Sequence, residues 1–154
     1  MSLTQTLAWL ARLSPVGIDL QTFQGRFFAQ KGVFLLKHLR YEPALAYSFS
    51  LYIRGPYSPS LARDYYSLAE VSFARQMPSR GIPKRTEVII GEAFRNGQAF
   101  VEAATSLLIV AYSNPTTSGA RVRQHVTTLK PHLNSEIGRA WAFLNRYQLV
   151  VQTG

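Results

Sequence analysis

Basic side chains in one polar stretch are the first candidates for chemistry in this sequence. The stretch RQMPSRGIPKR at 75–85 contains two prolines, one glycine and no acidic residue. Its cations are Arg75, Arg80, Lys84 and Arg85. Clustered cations bind a phosphate backbone because they release its condensed counterions. We therefore predict that this exposed loop contacts nucleic acid, with a solvated loop that has no ligand as the alternative.

A second basic strip lies further along the chain, where Arg121 and Arg123 stand beside Gln124 and His125. The whole chain contains 17 Lys and Arg and 8 Asp and Glu, which gives a net charge of +9 and an isoelectric point near 10.3. Such a charge favours a polyanion, with nucleic acid ahead of an acidic protein partner or an anionic membrane surface. The alternative for the strip itself is a charged helix face without a ligand.

An anion site is a second hypothesis, for the stretch LYIRGPYSPSLARDYY at 51–66. A helix that begins here presents unpaired N–H groups and the positive end of its dipole. The predicted anion-binding residues are Arg54, Ser58 and Ser60. The interpretation that we favour is simpler, because Ser58 can cap the helix itself and leave the stretch as an elbow. Four tyrosines among these arginines could stack on bases, although spacing places the third on the core face: Tyr52, Tyr57, Tyr65 and Tyr66.

Metal binding and catalysis find little support in the residue types. The histidines are His38, His125 and His132, and Pro131 prevents the last two from sharing one helix face. There is no Cys, and each of the two Asp can serve a nearby helix start. No Gly-x-Ser-x-Gly elbow, Walker loop or Rossmann fingerprint occurs. We predict no metal, no cofactor and no catalytic residue, and leave an enzyme of scattered residues as the third alternative.

The bulk composition predicts a single domain over residues 1–154. With 47% hydrophobic and 16% charged residues, the chain is typical of a globular protein rather than a disordered one. No stretch reaches the roughly 18 uncharged apolar residues of a membrane span. The N-terminus has no basic segment before its apolar positions, which argues against a signal peptide. With the absence of Cys, these features predict a cytoplasmic protein without membrane contact.

Hydrophobic periodicity predicts a mainly α fold with a short β element. Asp19 is the predicted N-cap of a long helix, and Gly55-Pro56 is predicted to turn the chain after a strand. Ser58 and Pro59 are predicted to begin a helix of about 15 residues. The remaining expected elements are helices over 3–13, 19–39, 85–96, 98–112 and 122–129, a strand over 47–53, and a last helix from Asn134 or Ser135.

Part of the sequence resembles a group of small prokaryotic proteins. Gln30-Lys31 and the apolar run at 33–36 precede Phe49, Tyr52 and the Gly-Pro-Tyr-Ser elbow at 55–58. This order is similar to the YwgA-like family and, more distantly, to the SocA-like antitoxin-associated domain called Panacea. The resemblance extends over most of 20–149 and implies a compact helical domain with a winged-helix-like part. It also implies regulatory or toxin–antitoxin roles, and it supplies no catalytic residue.

Together these patterns predict a compact, mainly α, multi-helix domain that acts as a basic regulatory module associated with DNA or RNA. The alternative is a protein-interaction module of the antitoxin type with an acidic partner. The oligomeric state is left open.

Overall fold

The computed structural model describes residues 2–68 and 81–154 of the chain. Seven α-helices and two short strands lie within them. The helices are α1 (Leu3–Leu13), α2 (Phe23–His38), α3 (Pro59–Tyr66), α4 (Lys84–Arg95), α5 (Gln98–Ser113), α6 (Gly119–Leu129) and α7 (Asn134–Arg146). The strands are β1 (Ser50–Tyr52) and β2 (Gly55–Tyr57), and two 3-10 helices span Glu42–Ala46 and Pro131–Leu133. The mainly α prediction with a small β element is therefore confirmed.

Helix α5 lies at the centre of the fold. It packs against α2, α4, α6, α7 and both strands. Its buried residues run from Phe100 to Ala111 on all sides of the helix, as expected for a sequence that is apolar nearly all round. The buried hydrophobic residues of the other helices join it in one core cluster. No helix in the described ranges combines the length and the apolar character that a membrane crossing requires.

The start of α2 corrects one prediction. The N-cap is Thr22, whose Oγ accepts a hydrogen bond from the backbone N–H of Gly25 at 3.0 Å. The predicted cap, Asp19, instead accepts from the N–H of Gln21 at 3.0 Å and belongs to the preceding turn. Both residue types are good caps, so the helix begins at the one whose side chain reaches the first helical turn.

The strand prediction was also wrong in its details. The first strand covers only Ser50–Tyr52, and Gly55–Tyr57 forms a second, antiparallel strand where a turn was predicted. The chain turns earlier, at 53–54, so that Leu51 pairs with Pro56. A proline is tolerated here because both strands of a two-stranded sheet are edge strands.

The elements around the predicted basic loop are only partly described. Ser58 caps α3 and Pro59 is its first residue, as predicted. The described helix ends at Tyr66, and the rest of its predicted length lies partly in 69–80, outside the described residues. Helix α4 begins at Lys84, close to its predicted start. The assignment of the whole chain to one domain stays a prediction.

Candidate functional site

The hairpin formed by Ser50–Tyr57 carries the most unusual set of contacts in the described structure. Its two strands pair Leu51 with Pro56 and Tyr52 with Gly55, and the turn between them consists of Ile53 and Arg54. Ile53 is 84% exposed at the tip. The hairpin leads directly into the N-cap of α3, so its position fixes where that helix begins.

Two buried lysines hold the backbone of the hairpin. Lys31 of α2 donates from Nζ to the carbonyl oxygen of Pro56 at 2.8 Å. Lys130, just after α6, donates from Nζ to the carbonyl oxygen of Tyr52 at 3.0 Å and to that of Ile53. A charged donor makes a stronger hydrogen bond than a neutral one. Both strands of this small sheet thus accept a hydrogen bond from a lysine of the helical body.

A single carboxylate balances these lysines. Glu102 of α5 is buried, and its Oε2 lies 3.3 Å from Nζ of Lys130 and 3.1 Å from Nε2 of His132. Lys31, Glu102 and Lys130 are called the buried charge cluster from here on. Burial lowers the pKa of the Lys31 amine to about 7, with Lys130 acting in the same direction and Glu102 against it.

Gln30, the residue before Lys31 in α2, links the hairpin to α3. Its Oε1 accepts from the N–H of Ser58 at 2.8 Å, and its Nε2 donates to the carbonyl oxygen of Ser58 at 3.0 Å. The same Nε2 lies 3.4 Å from the hydroxyl oxygen of Tyr65. Gln30 and Lys31 together thus anchor the end of the hairpin and the start of the next helix.

An open cavity of about 310 Å³ lies between the hairpin, α2 and α3, and we call it the hairpin groove. Its lining is mostly aromatic and apolar, with three cations. The lining residues are Phe23, Arg26, Phe27, Gln30, Lys31, Tyr52, Ile53, Arg54, Gly55, Tyr57, Tyr65 and Tyr66. Among the residues that the structure describes, no Asp or Glu lines the groove. The described lining of the groove therefore combines aromatic surface with positive charge.

The rim of the groove exposes its aromatic rings to solvent. Tyr52 is 50% exposed, Tyr66 57% and Phe23 46%. The guanidinium carbon of Arg54 lies 5.6 Å from the centroid of the Phe23 ring, which is a cation–π contact. Rings with accessible faces and a cation beside them can accept a planar group by stacking and a negative group by charge.

The predicted anion-binding residues do not form one cradle. Ser58 is fully buried, and its Oγ accepts from the N–H of Leu61 at 3.2 Å and lies 3.1 Å from Oγ of Ser60. Its backbone N–H is used by Gln30. The hydrogen bonds of Ser58 thus match the elbow interpretation. Arg54 points instead across the groove, over Phe23.

The predicted basic loop divides between described and undescribed residues. Arg75 and Arg80 lie outside the described residues. Lys84 is exposed and pairs with Glu87, with 3.5 Å between Nζ and Oε2. Arg85 is also exposed and donates from Nη2 to the carbonyl oxygen of Tyr147 at 2.6 Å.

The second predicted strip lies at the start of α6. Arg121 is exposed near His125, and its backbone N–H is bonded to the cap Ser118. The guanidinium carbon of Arg123 lies 5.4 Å from the centroid of a Trp141 ring on α7. Arg85 therefore contacts the end of α7, whereas Arg123 contacts its middle. Within residues 2–68 and 81–154, no group of three His, Asp or Glu side chains is placed to hold a metal ion.

The buried charge cluster was not predicted, although the sequence contains one signal for it. Glu102 is the sole charged residue in the otherwise uncharged sequence of α5. A carboxylate in a helix that is buried all round needs a cationic partner. That requirement predicts a buried Lys or Arg elsewhere in the chain.

Comparisons with protein-family models, curated proteins and solved structures give no match to this chain. The resemblance to the YwgA-like and Panacea groups stays a prediction.

Proposed function

We propose that this chain is a basic regulatory module that binds nucleic acid. The observation that carries the proposal is the net charge of +9, together with the way the described cations are paired. Arg85, Arg121 and Arg123 have no carboxylate within 4 Å in the described ranges. Cations that are not neutralised within the protein remain available for phosphates.

The contacts would be electrostatic and largely independent of sequence. Each phosphate that an arginine neutralises releases condensed counterions, so affinity falls as salt concentration rises. Arg121 and the N-terminal turn of α4 would supply contacts, with Arg75 and Arg80 as further candidates outside the described ranges. The same proposal places the module in the cytoplasm, and the Panacea resemblance is the basis for its regulatory role.

A salt titration tests this function. Fluorescence anisotropy with a labelled duplex and a labelled single strand should show affinity falling with salt, by a log–log slope of about −0.9 per neutralised phosphate on duplex DNA. The double variant Arg121→Gln/Arg123→Gln should bind more weakly. No binding of either probe at low salt would overturn the proposal.

A matched control keeps the charge change the same. The double variant Arg139→Gln/Arg146→Gln also removes two positive charges, but these arginines pair with Glu136 and Glu92. Because those charges are already partly neutralised, the control should lose less affinity than Arg121→Gln/Arg123→Gln. Equal losses would place the contacts elsewhere on the molecule.

A protein-binding module of the antitoxin type is the second candidate, because the hairpin exposes apolar side chains such as Ile53 and Tyr52. A protein partner would bury these side chains, and the apolar part of its affinity would persist in high salt. Purification from the native host should then recover an acidic protein in fixed stoichiometry that remains bound in high salt. Loss of any companion on a high-salt wash would count against this candidate.

A further inference from the structure

We propose that the hairpin groove is the site at which single-stranded nucleic acid binds, with an unpaired base stacked on its exposed rings and a flanking phosphate held by Arg54 and Arg26. This inference rests on the nucleic-acid binding proposed above. It names the strand type and the surface, neither of which follows from net charge alone.

The surface of the groove matches the two kinds of group that a nucleotide presents. A base offers an apolar planar face, and aromatic side chains bind such faces with little dependence on base identity. Tyr52, Tyr66 and Phe23 all keep about half of their surface exposed at the rim. The volume of about 310 Å³ lies at the lower end of the range of roughly 300–1,000 Å³ for ligand pockets, which suits one inserted planar group.

The charge of the groove favours an anion beside that planar group. Arg54 is exposed at the tip of the hairpin, and Arg26 uses Nη1 for the carbonyl oxygen of Leu20 at 3.1 Å. A guanidinium has five N–H donors, so Arg26 has others to offer. The described lining contains no carboxylate, so none of these residues repels a phosphate that enters the groove.

The exposed rings and the arginines of the groove together favour a single strand over a duplex. In a duplex, the faces of the bases are stacked on one another, and reaching them requires unstacking. A duplex can offer the groove only its phosphates, whereas an unpaired strand offers both phosphates and base faces. An apolar peptide would offer Arg26 and Arg54 only its backbone carbonyl oxygens and no negative charge.

Hydrogen bonds from the helical body hold the walls of the groove. Lys31 and Lys130 hold the hairpin through hydrogen bonds to its backbone carbonyl oxygens, and Gln30 holds the start of α3. A site whose parts are held in place loses less conformational entropy on binding. The rings on the hairpin and on α3 are therefore presented in a fixed relation before any ligand arrives.

The experiment compares matched probes by fluorescence anisotropy with the full chain. The probes are thymidylate and uridylate oligomers of about 12 nucleotides, a length within the site sizes of compact single-strand binders, an abasic oligomer with the same number of phosphates, and a duplex. Stacking on one ring contributes a factor of about 5–150. We expect both base-containing oligomers to bind at least about tenfold more tightly than the abasic one.

Variants then locate the site. Tyr52→Leu and Tyr66→Leu should each weaken binding of the thymidylate oligomer about tenfold and leave binding of the abasic oligomer unchanged. Tyr52→Phe keeps the ring and should bind as the parent does. The control is Tyr112→Leu, because Tyr112 is 69% exposed and lines a different cleft. Circular dichroism melting confirms that each variant is folded.

The outcomes separate this inference from the function on which it rests. If all oligomers bind equally and the tyrosine variants bind as the parent does, charge alone drives binding and the groove proposal is overturned while the function stands. If no probe binds at low salt, both fail. If the tyrosine variants change only the oligomeric state in light scattering, the groove is a protein contact and the proposal is overturned.

Discussion

Lys130 and Glu102 form an ion pair in the interior, with 3.3 Å between Nζ and Oε2, and both side chains are buried. The same Nζ also reaches the carbonyl oxygens of Tyr52 and Ile53 in the hairpin. One ammonium group therefore joins the central helix to the most exposed part of the candidate site. This links the stability of the core to the position of the groove.

The variant Lys130→Met tests that link. It leaves Glu102 as a buried charge without its lysine, and removal of one partner from a buried pair costs about 3–5 kcal/mol. Urea denaturation should show this loss in the free energy of unfolding. The control Lys84→Met breaks the exposed pair with Glu87 and should cost no more than about 1 kcal/mol. Equal effects of the two variants would show that the buried pair has no special role.

The pKa of Lys31 predicts a dependence of stability on alkaline pH. Burial lowers this pKa from 10.5 to about 7. The unfolded chain therefore holds one more proton than the folded chain between these values, so the free energy of unfolding rises with pH across that interval. Below about pH 7 both states hold the proton and this dependence disappears.

The variant Lys31→Met isolates the effect. Between pH 7.5 and 9.5, the difference in the free energy of unfolding between the parent protein and this variant should change by about 1.4 kcal/mol per pH unit. The parent protein should become more stable relative to the variant as pH rises. Denaturation at several pH values measures it. A difference that is constant over this interval would mean that Lys31 titrates at its ordinary pKa in the folded protein.

The helical part of the fold follows from the sequence because its apolar residues repeat at helical spacing and its breaks coincide with Pro and Gly. The hairpin register does not follow. Gly55-Pro56 has the composition of a turn, and tertiary contacts such as the hydrogen bond from Lys31 to the Pro56 carbonyl hold these residues in a strand. Local residue preference was overridden by a contact 25 positions away in sequence.

The candidate site was predictable only in part. The tyrosines and Arg54 were identified as candidates from their types, but their arrangement around one groove depends on how α2, the hairpin and α3 pack. The burial of Lys31 and Lys130 was harder to predict, because lysine is almost never fully buried unless it is paired. Sequence spacing carries no information about a partner such as Glu102 on another helix, which the fold alone brings into reach.

The pKa of His38 predicts a second dependence of stability on pH, at acidic pH. Burial, with Lys37 and Arg40 acting in the same direction, lowers the pKa of its imidazole from 6.5 to about 4. Between these values the unfolded chain holds one more proton, so the free energy of unfolding falls as pH falls from 6.5 towards 4. The neutral ring packs between Phe34 and Tyr112, at centroid distances of 4.4 and 5.0 Å.

The variant His38→Phe keeps a ring in that place and removes the titration. Its free energy of unfolding should fall less steeply than that of the parent protein between pH 6.5 and 4.5. Other groups that titrate in this range act on both proteins and cancel in the difference. NMR titration of the His38 ring gives the pKa directly, and a value near 6.5 would contradict the prediction.

Gly55 is the glycine on which the hairpin depends. Its φ is +102°, a conformation that L side chains rarely adopt, and an added Cβ would lie 3.2 Å from Cε of Lys31 and 3.3 Å from Oγ of Ser106. Gly55→Ala should therefore destabilise the protein by about 1–3 kcal/mol and lift the hairpin from the buried charge cluster. Thermal or urea denaturation measures the loss.

Gly138 provides the matched comparison for that substitution. It lies inside α7, is exposed, and an added Cβ would meet nothing within 4 Å. Gly138→Ala should stabilise the protein by about 0.5–1 kcal/mol, because alanine favours a helix interior over glycine. The two substitutions add the same methyl group and are expected to act in opposite directions. If Gly55→Ala is neutral, the hairpin is not held against Lys31 and Ser106 as described, and the groove loses its fixed wall.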